Sequence, residues 1–139
     1  MTVVYDWLSD ELVHATYSGI VTGEDLIASV LHVGNSIKME KIRYIISDWS
    51  KIGESRIKPD DIRQLAAYIY ALAKSFPGVK NASVVAEYES GQARAYFYEV
   101  LTKDTSWQLK TFTSFEQALQ WCYADKVEQD KTQGLLDKT

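Results

Sequence analysis

Cysteine, histidine and proline are scarce in this chain of 139 residues, which contains one, two and two of them. With Cys122 as the lone thiol no internal disulfide can form, and a reducing compartment is the simpler reading. Zinc sites draw on Cys and His at short spacings. Cys122, His14 and His32 are far apart in sequence, so neither a metal nor another cofactor is expected. A basic excess is lacking too. The formal charge of −4 argues against non-specific binding to nucleic-acid phosphates, which needs clustered Lys and Arg. No apolar run approaches the ~20 residues of a transmembrane helix. The segment from Met1 to Asp10 has no basic stretch followed by an apolar one, as a secretory leader would. The expectation is a cytoplasmic protein without a membrane span. Glycine is too sparse for a phosphate loop, since Gly19-x-x-x-Gly23 does no more than end a strand and open a helix.

What is present is ample core material: 46% hydrophobic residues, with 12% aromatic. A chain of this length buries roughly 68–70% of its unfolded surface as one domain. The polar composition after Tyr123 sets the domain at residues 1–124. Residues 125–139 read as an extension, helical or disordered.

The densest signal is Ile42-Arg43-Tyr44-Ile45-Ile46-Ser47-Asp48-Trp49-Ser50. So many apolar residues in sequence indicate a strand buried on both faces, as in a parallel sheet covered by helices. Upstream, residues 3–8 and 12–18 read as strands joined by Ser9-Asp10-Glu11, an antiparallel hairpin. In the second strand Val13, Ala15 and Tyr17 share one face, and Leu12, His14 and Thr16 the other. Gly19 marks its end or a bulge.

The period then lengthens to 3.6. Thr22 is the N-cap of a first helix with Glu24 and Asp25 in its opening turn, and an apolar stripe runs from Leu26 to Ile37. A loop through Gly53, Glu54 and Ser55 leads to Pro59-Asp60-Asp61, a strong helix start, and Pro77-Gly78 ends that helix. Ala82 to Ala86 is a further strand, and Ser90 caps a third helix. Residues 107–112 are the last strand, and Ser114 with Gln117 opens a final helix. The order β-β-α-β-α-β-α-β-α implies an α/β protein. Its sheet of about five strands is mostly parallel, with right-handed crossovers after an N-terminal antiparallel hairpin.

Gly19-x-x-Thr22, the strand ending Ser47-Asp48-Trp49-Ser50, and Phe112-x-Ser114-x-x-x-Ala118-Leu119-x-Trp121 together resemble the SpoIIAA-like family. That family is related to the STAS domains of anti-sigma factor antagonists and sulphate transporters. The resemblance spans residues 3 to about 124 and implies a βα superhelical sheet. In the antagonists a phosphorylated Ser lies in an Asp-Ser-Ser-Gly segment opening the helix after the central strand. Here that region reads Glu54-Ser55-Arg56-Ile57-Lys58-Pro59-Asp60-Asp61. Ser55 stands near the right place without the flanking Asp and Gly. The uncharacterised branch of the family is the better match.

Open α/β sheets place their crevice at the carboxyl ends of strands, which makes Asp48, Trp49 and Ser50 candidate ligand-binding residues. The alternative for Asp48 is a local cap on the following backbone. A nucleophilic Ser50 needs an adjacent base, and neither His14 nor His32 is expected at a strand's carboxyl end, so no catalytic residue is assigned. Arg94 could add a charge-assisted hydrogen bond to a ligand at the third helix, against which stand Glu87 and Glu89. Tyr68 and Tyr70, like Tyr96 and Tyr98, lie two apart on helices, so one of each pair should be exposed. These features favour a non-catalytic regulatory or protein-interaction module with an unknown protein partner. The alternative is a binder of a small apolar or amphipathic ligand, and an enzyme is a distant third. A homodimer through an uncovered sheet face or an edge strand is a further expectation.

Overall fold

In the structure, a computed structural model, residues 1–86 and 89–124 are described, with the backbone alone for residues 89–94 and 96. The polar extension, residues 125–139, lies outside them, as do Glu87 and Tyr88. Strands β1 (Thr2–Trp7), β2 (Leu12–Thr22), β3 (Tyr44–Arg56), β4 (Lys80–Val84) and β5 (Gln108–Phe112) form one sheet in sequential order. β1 pairs antiparallel with β2, and every later pair is parallel. Helices α1 (Gly23–Gly34), α2 (Pro59–Ser75) and α3 (Glu89–Thr102) make the crossovers. A last helix, α4, occupies residues 115–124. The expected α/β architecture, hairpin first and parallel thereafter, is the observed one.

Local chemistry sets the boundaries. Thr22 caps α1: its hydroxyl accepts from the Asp25 N–H, and the Asp25 carboxylate accepts from the Thr22 N–H at 2.9 Å. Pro59 begins α2, with the Asp61 carboxylate accepting from the Lys58 N–H at 2.8 Å. The Gln117 N–H donates to the Ser114 hydroxyl at the head of α4. β3 runs past Ser50, where a loop through Gly53 was expected, because its polar second half pairs with Ser18 to Thr22. Two register shifts permit this, one between Thr16 and Ser18 and one between Gly19 and Ile20. Gly19 has φ +79°, a left-handed conformation open to glycine, so the expected bulge is there.

Strand alternation divides the core in two. Val13 and Ile45 face α1, α2 and α3, packing with Leu26, Ile62, Leu65 and Ile69. Leu12, Tyr44, Ile46, Ala82 and Val84 face the other way, against Ala118 and Cys122 of α4. Thus α4 covers part of the sheet face that uniform crossovers would leave bare. Ile37, expected to close the α1 stripe, is 96% exposed. α1 ends at Gly34, the chain turns, and Met39 of a short 3₁₀ turn (Met39–Lys41) is buried instead.

Candidate functional site

A cavity of about 330 Å³ lies between the sheet and α1–α3. Its roof and walls are aliphatic, from Leu26 and Val30 on α1 and from Ile62, Leu65 and Ile69 on α2. Trp107 closes one end, fixed by its indole N–H donating to the Phe76 carbonyl at 2.7 Å. At the other end the cavity reaches the carboxyl ends of β3 and β4, where exposed Gly53 and Glu54 form a rim near Ala86. Tyr17 and Trp49 stack there with ring centroids 4.0 Å apart and planes 6° from parallel. The Tyr17 hydroxyl shares a 2.5 Å hydrogen bond with Ser29 of α1, which also accepts from Tyr5 at 3.3 Å. This polar tie anchors α1 to the sheet beside an apolar space. Burial of Tyr17, only partly offset by Ser29, raises its pKa.

The floor is unlike the usual Val- and Ile-rich interior of a parallel sheet. Neighbouring β3 and β4 present Ser47, Asn81 and Ser83. The Asn81 side-chain amide donates to the Ile45 carbonyl at 3.1 Å and to the Ser47 hydroxyl at 3.2 Å, which leaves its carbonyl oxygen without a protein donor among the described residues. Ser83, 7% exposed, has no hydrogen-bond partner among them either. The same is true of the Tyr98 hydroxyl on α3, whose residue is 8% exposed and whose pKa burial raises. All three residues line the cavity. Among the described residues no fully buried side-chain polar atom lacks a partner, so these groups open on the cavity, where water or a ligand can meet them.

The residues singled out from sequence separate. Trp49 lines the cavity, but Asp48 projects from the opposite face of β3, as period-two alternation requires. There the Asp48 carboxylate, 6% exposed, accepts from the Ser50 N–H at 3.1 Å and the Ser50 hydroxyl at 2.6 Å. Its other oxygen lies 3.2 Å from His14 Nε2. His14 stacks on Phe115 of α4, centroids 4.5 Å apart. His14 was not expected near Asp48. β2 and β3 are neighbours with Thr16 opposite Asp48, which brings the imidazole two residues away alongside the carboxylate. The order is His–Asp–Ser, with the serine bonded to the carboxylate and not to the imidazole, so the arrangement is not that of a Ser-His-Asp triad.

Ser55 is half-buried within β3 and lines the cavity, not the head of α2, and its hydroxyl accepts from the Ile57 N–H at 3.4 Å. The Arg94 side chain lies outside the described residues. Tyr68 and Tyr70 are both exposed on α2, 40% and 38%, where one was expected to be. Among the described residues no group of three His, Cys, Asp or Glu side chains is placed to hold a metal ion. Among them, too, no helix is long and apolar enough to cross a membrane.

Sheet order, crossovers and the buried space define the chain as an α/β protein with a hairpin-led, sequentially ordered sheet and an internal cavity. No family model matches the chain, and no curated protein matches it in sequence. Among solved structures it is similar to an uncharacterised protein of the DUF3478 family with a SpoIIAA-like fold, from Shewanella loihica PV-4. The two are 17% identical over 87% of this chain and 92% of the other, with a TM-score of 0.46. A likeness at this level says nothing about function.

Proposed function

We propose that the protein is a non-catalytic binding module that holds a small apolar or amphipathic ligand between its sheet and α1–α3. The cavity carries this reading. It offers about 330 Å³ of largely apolar-walled space that opens at the carboxyl ends of β3 and β4. An apolar guest there would displace water and make dispersion contacts with Leu26, Ile62, Leu65 and Ile69. Trp49 is the site residue kept from the sequence reading, stacked on Tyr17 as a rigid aromatic wall. Asp48 and Ser50 have a structural part instead, fastening β3 to β2 through His14. Native mass spectrometry after detergent-free purification tests the reading. The expected result is a stoichiometric mass excess that disappears on denaturation; a bare chain mass in repeated preparations would count against it.

A regulatory or interaction role is a second reading, favoured by Tyr68 and Tyr70, both exposed on α2. Affinity purification with Tyr68→Ala/Tyr70→Ala as the control addresses it. A partner lost only from that variant would support the surface, and one retained by both proteins would place contact elsewhere.

A further inference from the structure

Resting on the cavity as a ligand site, we infer that its ligand carries an uncharged hydrogen-bonding head that both donates and accepts, such as an amide or alcohol, and not a carboxylate or phosphate. Two independent observations lead there. The first is charge. Among the described residues lining the cavity there is no Lys, Arg or His, and the one ionisable acid is Glu54 on the exposed rim. Glu54 already accepts from the Arg56 guanidinium at 3.2 Å. An anion drawn inside would lose its hydration with no cation among the described lining residues to meet it, at a cost far above that of a neutral polar group.

The second is the set of unpaired groups. Ser83 and Tyr98 each offer a hydroxyl, able to donate or accept, and the Asn81 side-chain carbonyl can only accept. Ser83 and Asn81 lie two apart on β4 and so share a face of the sheet, with Tyr98 on the helix packed above it. An amide or hydroxyl head both gives and takes a hydrogen bond, so it can donate to the Asn81 carbonyl while accepting from a hydroxyl. A carboxylate only accepts, and the Asn81 carbonyl would repel it. The apolar walls take the tail.

Calorimetric titration of the full chain with octanamide, octanoate and n-octanol near neutral pH tests this, because octanamide and octanoate match in shape and differ in charge. Octanamide and n-octanol are expected to bind at least about tenfold more tightly than octanoate. The Ser83→Ala and Tyr98→Phe variants should each lower octanamide affinity while changing octanoate affinity little. Octanoate binding as tightly as octanamide would overturn the inference and leave the cavity as a site. Variants that bind octanamide as the parent does would also overturn it, since the hydroxyls would then be satisfied by water alone. Binding of none of the three would remove the cavity reading itself. Circular dichroism of both variants separates misfolding from loss of affinity, and the Tyr98→Phe arm stands if Ser83→Ala fails to fold.

Discussion

Replacing Ser83 by valine sets stability against ligand recognition at one position of the floor. In the ligand-free protein the Ser83 hydroxyl faces the cavity without a partner among the described residues, a situation that costs about 1–3 kcal/mol where no water reaches it. Valine removes that group and adds one heavy atom to an apolar space, worth about 0.8 kcal/mol. Its branched Cβ also suits the strand β4. Water inside the cavity satisfies part of the hydroxyl's demand in the parent, so the net gain is set near the lower end, roughly 2 kcal/mol. For a domain of this size that corresponds to a rise in Tm of about 6 °C. Urea and thermal unfolding of the two ligand-free proteins would measure it. The same substitution should abolish the preference for octanamide over octanoate. Stability gained while recognition is lost is the signature of a group kept for function. A Ser83→Val protein less stable than the parent by more than about 1 kcal/mol would refute the reasoning, because the position would then be filled or its hydroxyl already paired.

Asp48→Ala should destabilise the chain by about 2–4 kcal/mol in urea, since it strands His14, the Ser50 hydroxyl and the Ser50 N–H together. Its octanamide affinity should be unchanged, because Asp48 projects from the face away from the cavity. Gly23→Ala would put a Cβ onto the Asp61 carboxyl group and displace it from the Lys58 N–H, costing about 1 kcal/mol or more as a lost cap. Tyr17 and Tyr98 both have pKa values raised by burial. Their folded forms therefore hold protons that the unfolded chain releases above about pH 10. Their contribution is complete below that pH and declines above it. Urea midpoints followed into the alkaline range should fall more steeply for the parent than for Tyr17→Phe/Tyr98→Phe. Cys122 is buried against the sheet, and burial pushes its thiol up to about 11, Lys80 opposing the shift. It should resist a disulfide exchange reagent until the protein is unfolded.

Element type and order were legible because the hydrophobic period changes cleanly. Alternation at Leu12 to Tyr17, helical spacing after Thr22 and the Pro59 start each have a local cause. β3 beyond Ser50 was not legible, since Gly53, Glu54 and Ser55 carry no strand propensity. Their extended form comes from pairing with Ile20 to Thr22, a contact between residues far apart in sequence. The stretch Asp48-Trp49-Ser50 was read as one crevice, yet a strand sends successive side chains to opposite faces, and that rule alone separates Trp49 from Asp48. The floor had a visible sign. Asn81 and Ser83 sit two apart in β4, alternating with Ala82 and Val84, which are apolar. Polar residues on one face of a doubly covered strand need partners or an open space beside them, and here they open on the cavity. The His14–Asp48 contact depends on β2 and β3 being parallel neighbours in a given register, which no short-range pattern encodes.

Methyl NMR of the full chain titrated with octanamide tests the central claim most directly, because cavity and surface methyls report separately. The account predicts shifts concentrated at Leu26, Ile45, Ile62 and Leu65, which line the cavity. Leu12, Ile46 and Val84, buried under α4 on the opposite face, should stay still. Shifts confined to the exposed methyls of Leu8 and Ile37, or no shifts at saturating octanamide, would contradict it.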